Sequence, residues 1–201
     1  MKINLKDITN FYQKQLDKYP PTDIRCMGWH DVDEYKRRFE IAAEIADLSG
    51  ASILDVGCGT GGLYGYLTAQ KYKTTYFGVD ILPGMITIAQ KHYPKGNFEI
   101  KNILKDSIPQ HDYVFCIGAL NITTAHFHGF FMEMVSAMIN IARKGVAINF
   151  LCGKEYLAHG PYHFEDPEKI RQELVTKHDV EVKVLNDQNL RGECYLYIYK
   201  K

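Results

Sequence analysis

The sequence has few of the features that mark secreted or nucleic-acid-coating proteins. Its five cysteines are odd in number and scattered, with no Cys-x-x-Cys pair, so neither a disulfide framework nor a cysteine-based metal or redox centre is predicted. We expect reduced, mostly buried thiols. The 24 Lys and Arg residues balance the 24 Asp and Glu residues. Because the net charge is zero, it gives no long-range attraction to phosphate backbones or anionic lipids, and we expect no nucleic-acid partner.

Long apolar runs are also missing. The stretch from Tyr113 to Met132 lacks Asp, Glu, Lys and Arg, but polar residues such as Thr123 and His128 lie in its middle, so a membrane span is not predicted. The first residues mix charged and apolar side chains, unlike a secretory signal, and this predicts a cytoplasmic protein. No repeat or linker rich in Pro, Gly or Ser interrupts the chain, which predicts one domain over residues 1–201.

Predicted strands and helices alternate along the chain after an irregular start that ends at Pro20-Pro21. Strands apolar on nearly every position are typical of a parallel sheet that is buried on both faces. The last two strands are separated by only eight residues, 186–193, so they should pair antiparallel. This order predicts an α/β sandwich of about seven strands. The predicted strands are 53–56, 75–79, 98–101, 113–117, 146–151, 180–185 and 194–199, and the predicted helices are 31–49, a helix after Gly62, one from Pro83, 132–142 and one from Pro167.

A glycine-rich turn follows the first predicted strand. Gly57, Gly59 and Gly62 satisfy G-x-G-x-x-G, and Asp80 ends the next strand 23 residues after Gly57. Both dinucleotides and S-adenosylmethionine are bound by such a turn, with an acidic residue on the ribose hydroxyls. Asp55 decides between them, because a carboxylate repels a pyrophosphate but favours the sulfonium and ammonium groups of S-adenosylmethionine.

The segment Ile-Leu-Asp-Val-Gly-Cys-Gly-Thr-Gly at 53–61 resembles the first motif of the class I S-adenosylmethionine-dependent methyltransferases, and Phe-Gly-Val-Asp-Ile at 77–81 resembles their second. The resemblance implies a Rossmann-like, doubly wound, seven-stranded sheet with an antiparallel C-terminal strand, in a three-layer α/β/α sandwich. It also implies methyl transfer by in-line displacement. Residues 51–201 would then form the cofactor-binding sheet, and residues 1–50 an N-terminal lid and helix region.

The resemblance implies cofactor contacts at ten positions. Asp55, Gly57 and Gly59 would lie near the methionine part, Asp80 would hold the ribose hydroxyls and Ile81 would pack on adenine. Where the family usually has an acidic residue after the third strand, this chain has Asn102-Ile103, so an amide oxygen would meet the adenine amino group. Gly118, which follows the fourth predicted strand, is the last of the implied cofactor contacts in the sheet region.

Met27-Gly28-Trp29 followed by Arg38-Phe39 resembles a subgroup of small bacterial methyltransferases. That likeness implies that Trp29 closes over the site and that Arg38 meets the cofactor carboxylate. Packing of the only Trp in the core is an equally good explanation.

Acceptor-side groups should come from loops at the carboxyl ends of the central strands. Asn121 is the first candidate for a substrate-facing residue, and His126 or His163 is a candidate general base near neutral pH. The structural alternatives are that the Asn121 amide caps its own loop and that the two histidines lie on the surface. No acidic or cysteine partner is spaced to complete a metal site with these histidines. Further loop candidates are Thr123, Thr124, His128, Tyr156, His159 and Tyr162.

The predicted acceptor is a small molecule. The chain lacks the Asn-Pro-Pro-aromatic or Asp-Pro-Pro-aromatic motif of base amino-methyltransferases and the Pro-Cys pair of cytosine C5 enzymes. It also has no spare domain for a macromolecule, and residues 1–30 and 152–166 would supply a lid. Two alternatives stay open: an NAD-dependent oxidoreductase, and a non-catalytic subunit that binds S-adenosylmethionine beside a partner.

Overall fold

One mixed seven-stranded sheet forms the centre of the computed structural model, which describes residues 5–153, 160–190 and 192–201. Its strands lie in the order β3-β2-β1-β4-β5-β7-β6. The first five are parallel, whereas β7 is antiparallel to both β5 and β6. The strands are β1 (Ser52–Val56), β2 (Thr75–Asp80), β3 (Phe98–Ile100), β4 (His111–Cys116), β5 (Ala142–Leu151), β6 (Val180–Asn186) and β7 (Glu193–Lys200).

Helices cover both faces of the sheet. Helices α2, α3 and α4 pack on one face, and α1, α5 and α6 pack on the other. This confirms the predicted Rossmann-like three-layer sandwich with its antiparallel C-terminal pair. The helices are α1 (Lys6–Lys18), α2 (Val32–Ala43), α3 (Gly62–Ala69), α4 (Pro83–His92), α5 (Phe127–Ile141) and α6 (Pro167–Lys177). Within the described ranges, each helix lacks the combination of length and apolar character that crossing a membrane requires.

Side-chain alternation along the strands divides the core into two layers. In β7, Leu196 and Ile198 face the layer of α5 and α6, whereas Tyr195 and Tyr197 face the layer of α2 and α3. Successive residues of a strand point to opposite faces, so one tyrosine stripe and one aliphatic stripe serve the two layers. The sequence predicts this alternation, because Tyr195, Tyr197 and Tyr199 recur at every second position with Leu196 and Ile198 between them, and the structure confirms it.

The N-terminal segment corrects one expectation, because α1 occupies a region predicted to be irregular. Ile8 is buried, and Leu5, Phe11 and Tyr12 pack partly against the same core. These positions share one side of a helix. The interspersed charges, which excluded a secretory signal, are therefore the solvent-facing side of an amphipathic helix.

Helix α2 is shorter than the predicted 31–49. It begins as predicted, with the Asp31 carboxylate accepting the amide protons of Asp33 and Glu34, both at 2.8 Å, but it ends at Ala43. The Tyr197 hydroxyl donates to the carbonyl of Ile41, and the Tyr199 hydroxyl donates to that of Ile45 at 3.0 Å. Because strand β7 satisfies these carbonyls, the chain can leave the helix without burying unpaired acceptors.

The expectation of five reduced cysteines is wrong for two of them. Cys152, just after β5, is bonded to Cys194 at the start of β7, although 42 residues separate them in sequence. Antiparallel pairing places Phe150 opposite Cys194 and so brings the two chain segments together. Cys26, Cys58 and Cys116 are free and buried, as predicted.

Leu174 and Val175 provide a matched test of the packing of α6. Leu174 is 0% exposed, whereas its neighbour Val175 is 40% exposed. We expect Leu174→Ala to lower the free energy of unfolding by about 2–5 kcal/mol, because it leaves a cavity in the core. Val175→Ala should change it by less than about 0.5 kcal/mol. Urea unfolding followed by circular dichroism measures both, and equal losses would contradict the described packing.

The disulfide is tested by counting thiols. Alkylation of the unfolded, unreduced protein should modify three cysteines, Cys26, Cys58 and Cys116, and prior reduction should raise the count to all five. Intact mass spectrometry reads both numbers. Five modified cysteines without reduction would show that Cys152 and Cys194 are thiols.

Candidate active site

A deep cavity opens at the carboxyl ends of β1, β2 and β4. Its volume is about 120 Å³, and α1 with the segment around Trp29 forms its outer wall. Arg38 is not among the residues that line it. Nine of the ten predicted cofactor positions do line it: Trp29, Asp55, Gly57, Gly59, Asp80, Ile81, Asn102, Ile103 and Gly118.

The glycine turn brings backbone close to the cavity. The amides of Gly57 and Cys58 both donate to the carbonyl of Val79, at 2.8 and 3.1 Å, which ties the turn to β2. Gly57 has φ +72°, and a Cβ there would lie 2.4 Å from the Cβ of Ala119. Both the left-handed backbone and this close approach require glycine.

Asp80 ends β2 beneath this turn. One carboxylate oxygen accepts the amide proton of Gly59 at 3.0 Å, and the other accepts that of Leu82 at 2.9 Å. Burial raises the pKa of Asp80, while these backbone donors oppose the shift. Leu82 occupies the N-cap position of α4, so Asp80 organises the turn before the helix and does not cap it directly.

Asp55 is the second carboxyl of the cavity and is buried, with 3% of its surface exposed, whereas Asp80 is half-buried. The Tyr76 hydroxyl donates to it at 2.6 Å. Burial raises the pKa of Asp55 to about 7, against the effect of the tyrosine hydrogen bond, and the nearby Asp80 charge adds to the rise. The cavity thus holds two acidic groups that favour a cationic guest.

Trp29 and Gly118 meet at one corner of the cavity. Gly118 has φ +83°, and a Cβ on it would lie 2.2 Å from Cζ2 of Trp29, so the indole packs directly on the glycine backbone. The Tyr12 hydroxyl donates to the Gly118 carbonyl at 3.1 Å. Tyr12 therefore attaches α1 to the end of β4.

Arg38 is held away from the cavity by Glu193. Its Nε donates to both carboxylate oxygens of Glu193 at 3.0 Å, and its Nη2 also contacts Glu34 at 3.2 Å. Its guanidinium lies 4.1 Å from the centre of the Trp29 ring. Arg38 thus contacts a wall residue of the cavity from behind.

Asn102 and Ile103, which were predicted to meet adenine, lie in a local turn. The Asn102 side-chain oxygen accepts the amide proton of Leu104 at 2.9 Å, and the Asn102 amide donates to Asp106 at 2.7 Å. Ile103 is buried beside them. The Asn102 oxygen keeps one lone pair beyond its bond to Leu104.

The three predicted catalytic residues lie outside the cavity lining. Asn121 is buried, and its side-chain oxygen has no hydrogen-bond partner among the described residues. His126 is exposed, at the N-cap of α5. His163 stacks on Phe127 at 3.9 Å and lies 3.2 Å from a Glu165 oxygen, and burial lowers its pKa.

Other loop candidates also lie apart from the cavity. His128 is paired with Glu165 and Glu173 at 3.0 and 3.1 Å. Tyr156 and His159 lie outside the described residues, as does part of the expected 152–166 lid. In the described segments, no three His, Cys, Asp or Glu residues are grouped so that they could hold a metal ion.

Sequence reasoning missed Tyr12, Asn149 and Glu193. Tyr12 belongs to the apolar stripe of α1, which was a detectable signal. Asn149 is the polar exception in the otherwise apolar part of β5 from 145 to 151, and its side-chain oxygen accepts the Gly118 amide proton at 2.6 Å. Glu193 carried no local signal, because its partner Arg38 is 155 residues distant.

Comparisons with known proteins agree with this arrangement. Residues 53–139 match a family described as a methyltransferase domain. A Mycobacterium tuberculosis protein provisionally named as a methyltransferase is 30% identical over 128 residues, covering 61% of this chain and 70% of that protein. The phthiotriol/phenolphthiotriol dimycocerosates methyltransferase of Mycobacterium leprae is 29% identical over 99 residues, covering 49% of this chain and 36% of that protein. The chain spans 36% of the length of this relative and 47% of the length of its Mycobacterium tuberculosis counterparts, which is less than half in each case.

Solved structures show the same fold. Magnesium protoporphyrin IX methyltransferase from Synechocystis PCC 6803, with S-adenosylhomocysteine bound, has a TM-score of 0.74 at 16% identity and covers 98% of this chain and 100% of that chain. A plantazolicin methyltransferase has a TM-score of 0.69 at 15% identity, with 97% and 95% coverage. The chain belongs to the class I S-adenosylmethionine-dependent methyltransferases.

The ionisation of Asp55 can be measured directly. Because burial raises its pKa to about 7, its carboxyl should be protonated below that pH and ionised above it. Tyr76→Phe removes a hydrogen bond that favours the ionised form, so it should raise the pKa further. Carbon-13 NMR titration of the Asp55 carboxyl checks both statements.

Tyr64→Phe is the matched control, because the Tyr64 ring packs 5.1 Å from that of Tyr76. This substitution should leave the Asp55 titration unchanged. An Asp55 midpoint near the ordinary aspartate value of about 4 would contradict the described burial.

Proposed function

We propose that the protein transfers a methyl group from S-adenosylmethionine to a small, uncharged and largely apolar acceptor. The observation that carries the proposal is a pair of carboxyls, the buried Asp55 and the half-buried Asp80, beside a positive-φ glycine turn in a deep cavity. Membership of the methyltransferase family supports the same reaction. S-adenosylmethionine, when bound, supplies a methyl group already activated for in-line displacement.

The cavity residues fit this cofactor. Each Asp80 oxygen accepts one backbone amide proton, and an ionised carboxylate has about four acceptor sites in all. Asp80 therefore keeps the capacity to accept from two ribose hydroxyls. The Ile81 side chain borders the same region and would pack on adenine, with Asn102 and Ile103 beside it.

The methionine part would lie at the glycine turn. Gly57 and Gly59 leave room for close approach, the Asp55 carboxyl supplies negative charge when it is ionised, and Gly118 forms another part of the wall. A carboxylate in a partly desolvated site attracts a cation, whereas it would repel a pyrophosphate. This disfavours the NAD-dependent alternative.

The acceptor class is argued from the lining of the cavity. Among the described residues, its charged members are Asp55, Asp80 and Lys101, and all three belong to the ends of β1 and β2 or to the segment after β3. The remaining wall is mainly apolar, with Ile8, Phe130 and Met134 among its members. A charged acceptor would lose hydration there without gaining a partner, so an uncharged one is favoured.

The chain's own contribution would be to position the reactants. Holding a nucleophile in line with an activated carbon can account for most of the acceleration of a methyl transfer. The hydroxyls of Tyr12 and Tyr35 lie at the cavity, and burial raises the pKa of both, so they remain protonated donors at neutral pH. A catalytic role for Asn121, His126 or His163 has less support, because none of them lines the cavity.

The cytoplasm remains the proposed location. The apolar acceptor cavity and the absence of net charge are compatible with a metabolite enzyme of this compartment. The thiol count described above bears on this part of the proposal, because disulfides rarely persist in a reducing cytosol.

Cofactor binding is tested by calorimetry with S-adenosylhomocysteine and, separately, with NADH. We expect S-adenosylhomocysteine to bind and NADH to give no heat. Asp80→Asn should weaken S-adenosylhomocysteine binding by about 1–3 kcal/mol, because it removes charge-assisted hydrogen bonds to the ribose.

Asp47→Asn serves as the control, since the Asp47 carboxylate accepts the amide proton of Ser49 in its own turn and Asp47 lies outside the cavity lining. Binding of NADH without S-adenosylhomocysteine would overturn the proposal. Binding of S-adenosylhomocysteine without methyl transfer from S-adenosylmethionine to any member of a broad panel of apolar metabolites would favour the non-catalytic subunit.

A further inference from the structure

Three polar side chains from distant parts of the chain are buried together behind the cavity. Arg38 is 4% exposed, Asn149 is 0% exposed and Glu193 is 4% exposed. They come from α2, β5 and β7. We refer to Arg38, Asn149 and Glu193 as the buried triad.

The buried triad connects two wall residues of the cavity. The Gly118 amide donates to the Asn149 oxygen at 2.6 Å, and the Asn149 amide group donates to Glu193 at 2.8 Å. Arg38 then donates to Glu193 and lies over the Trp29 ring. Because Trp29 packs on Gly118, the contacts form a closed circuit.

Filling a core with these polar and charged groups is energetically unfavourable. Removing an arginine and a glutamate from water costs several kcal/mol per ion, and well-packed apolar residues often give equal or greater stability. Packing alone therefore gives no reason for the triad. Its contacts instead define the orientation of two groups that the cavity exposes.

The first of these groups is the backbone around Gly118. The N–H and C=O of a trans peptide point in opposite directions, and no cis peptide is present in the described segments. Asn149 therefore fixes the direction of the preceding Ile117 carbonyl. Tyr12 fixes the following peptide by donating to the Gly118 carbonyl, so both peptides at this wall have set orientations.

The second group is the Trp29 indole. The Arg38 guanidinium lies 4.1 Å from the ring centre, a favourable cation–π distance. Glu193 determines where that guanidinium lies, because it accepts from both Nε and Nη2. Glu193 thus acts on the indole through Arg38.

We propose that Glu193 is a positioning residue that sets the Trp29 and Gly118 wall against which the cofactor and acceptor bind. The proposal rests on the proposed function. It differs from the family-implied role of Arg38, which would place the guanidinium on the cofactor carboxylate. Here the Arg38 charge is matched by Glu193, and its effect on ligands passes through Trp29.

Glutamine cannot take the place of Glu193. All the groups that reach its carboxylate, from Asn149 and Arg38, are donors. A glutamine would present its own N–H₂ to one of them and leave the half-exposed Glu34 as the anionic partner of the buried Arg38 guanidinium. Glu193→Gln should therefore release Trp29 and Gly118 together, although it barely changes side-chain volume.

Asp187→Asn is the matched control. Asp187 pairs with Arg37 at 2.8 Å, so it also joins α2 to the segment between β6 and β7, but neither residue lines the cavity. Loss of this ion pair tests general docking of α2. It should leave the cavity wall unchanged.

Trp29 is the only tryptophan, so its fluorescence reports on this wall without interference. In Glu193→Gln we expect the emission of the unliganded protein to shift to longer wavelength. We also expect the dissociation constant of S-adenosylhomocysteine, measured by calorimetry on folded protein, to rise about tenfold, equivalent to about 1.4 kcal/mol. Asp187→Asn should retain the wild-type emission and affinity.

Arg38→Lys provides a second variant if Glu193→Gln does not fold. It keeps the charge beside Glu193 but loses the planar group over Trp29, so the emission should shift in the same direction. Wild-type emission and affinity in both variants, or equal changes in Asp187→Asn, would overturn the proposal. If the wild-type protein fails to bind S-adenosylhomocysteine, the proposed function is wrong, and the Trp29 emission shift separately decides whether the buried triad holds the indole.

Discussion

The order of the sheet is the constraint on which the candidate site depends. The chain leaves β1 toward β2 on one side, whereas β4 pairs with β1 on the other. Connections that depart in opposite directions from neighbouring parallel strands leave a crevice at the carboxyl ends of those strands. The glycine turn, Asp80 and Gly118 all follow strands that end there, so their proximity results from topology. Helix α1 and Trp29 cover the crevice and turn it into a cavity.

Electrostatics inside the cavity follow from how little water reaches it. Burial is the largest influence on both Asp55 and Asp80, and it raises the pKa of each. The donors that reach them differ: Asp80 receives two backbone amides, whereas Asp55 receives one tyrosine hydroxyl. Two acids in one cavity thus acquire different environments. Backbone donors also hold Asp80 in a single orientation, which is a useful property in a group proposed to accept from two hydroxyls.

Local patterns in the sequence predicted most of the fold, and the resemblance to a known family implied nine of the residues that line the cavity. Strand alternation, the glycine spacing and the capping residue Asp31 act within a few residues, so they can be recognised in one dimension. The failures involve distant partners. The early end of α2 depends on hydroxyls from β7, the disulfide depends on the pairing of β5 with β7, and the placement of Arg38 depends on Glu193. Sequence proximity carries no information about such contacts.

The position of β7 has a consequence for how the protein is made. Although β7 follows β6 in the chain, it lies between β5 and β6, so β6 has no sheet partner until β7 has been synthesised. Arg38 similarly has no Glu193 partner until another 155 residues have been synthesised. Contacts of such long range close slowly, because the entropy of a large loop must be lost first. The parallel half of the sheet can therefore assemble on the ribosome before the wall of the cavity does, and a nascent chain that stops short of β7 would carry the glycine turn without a finished site.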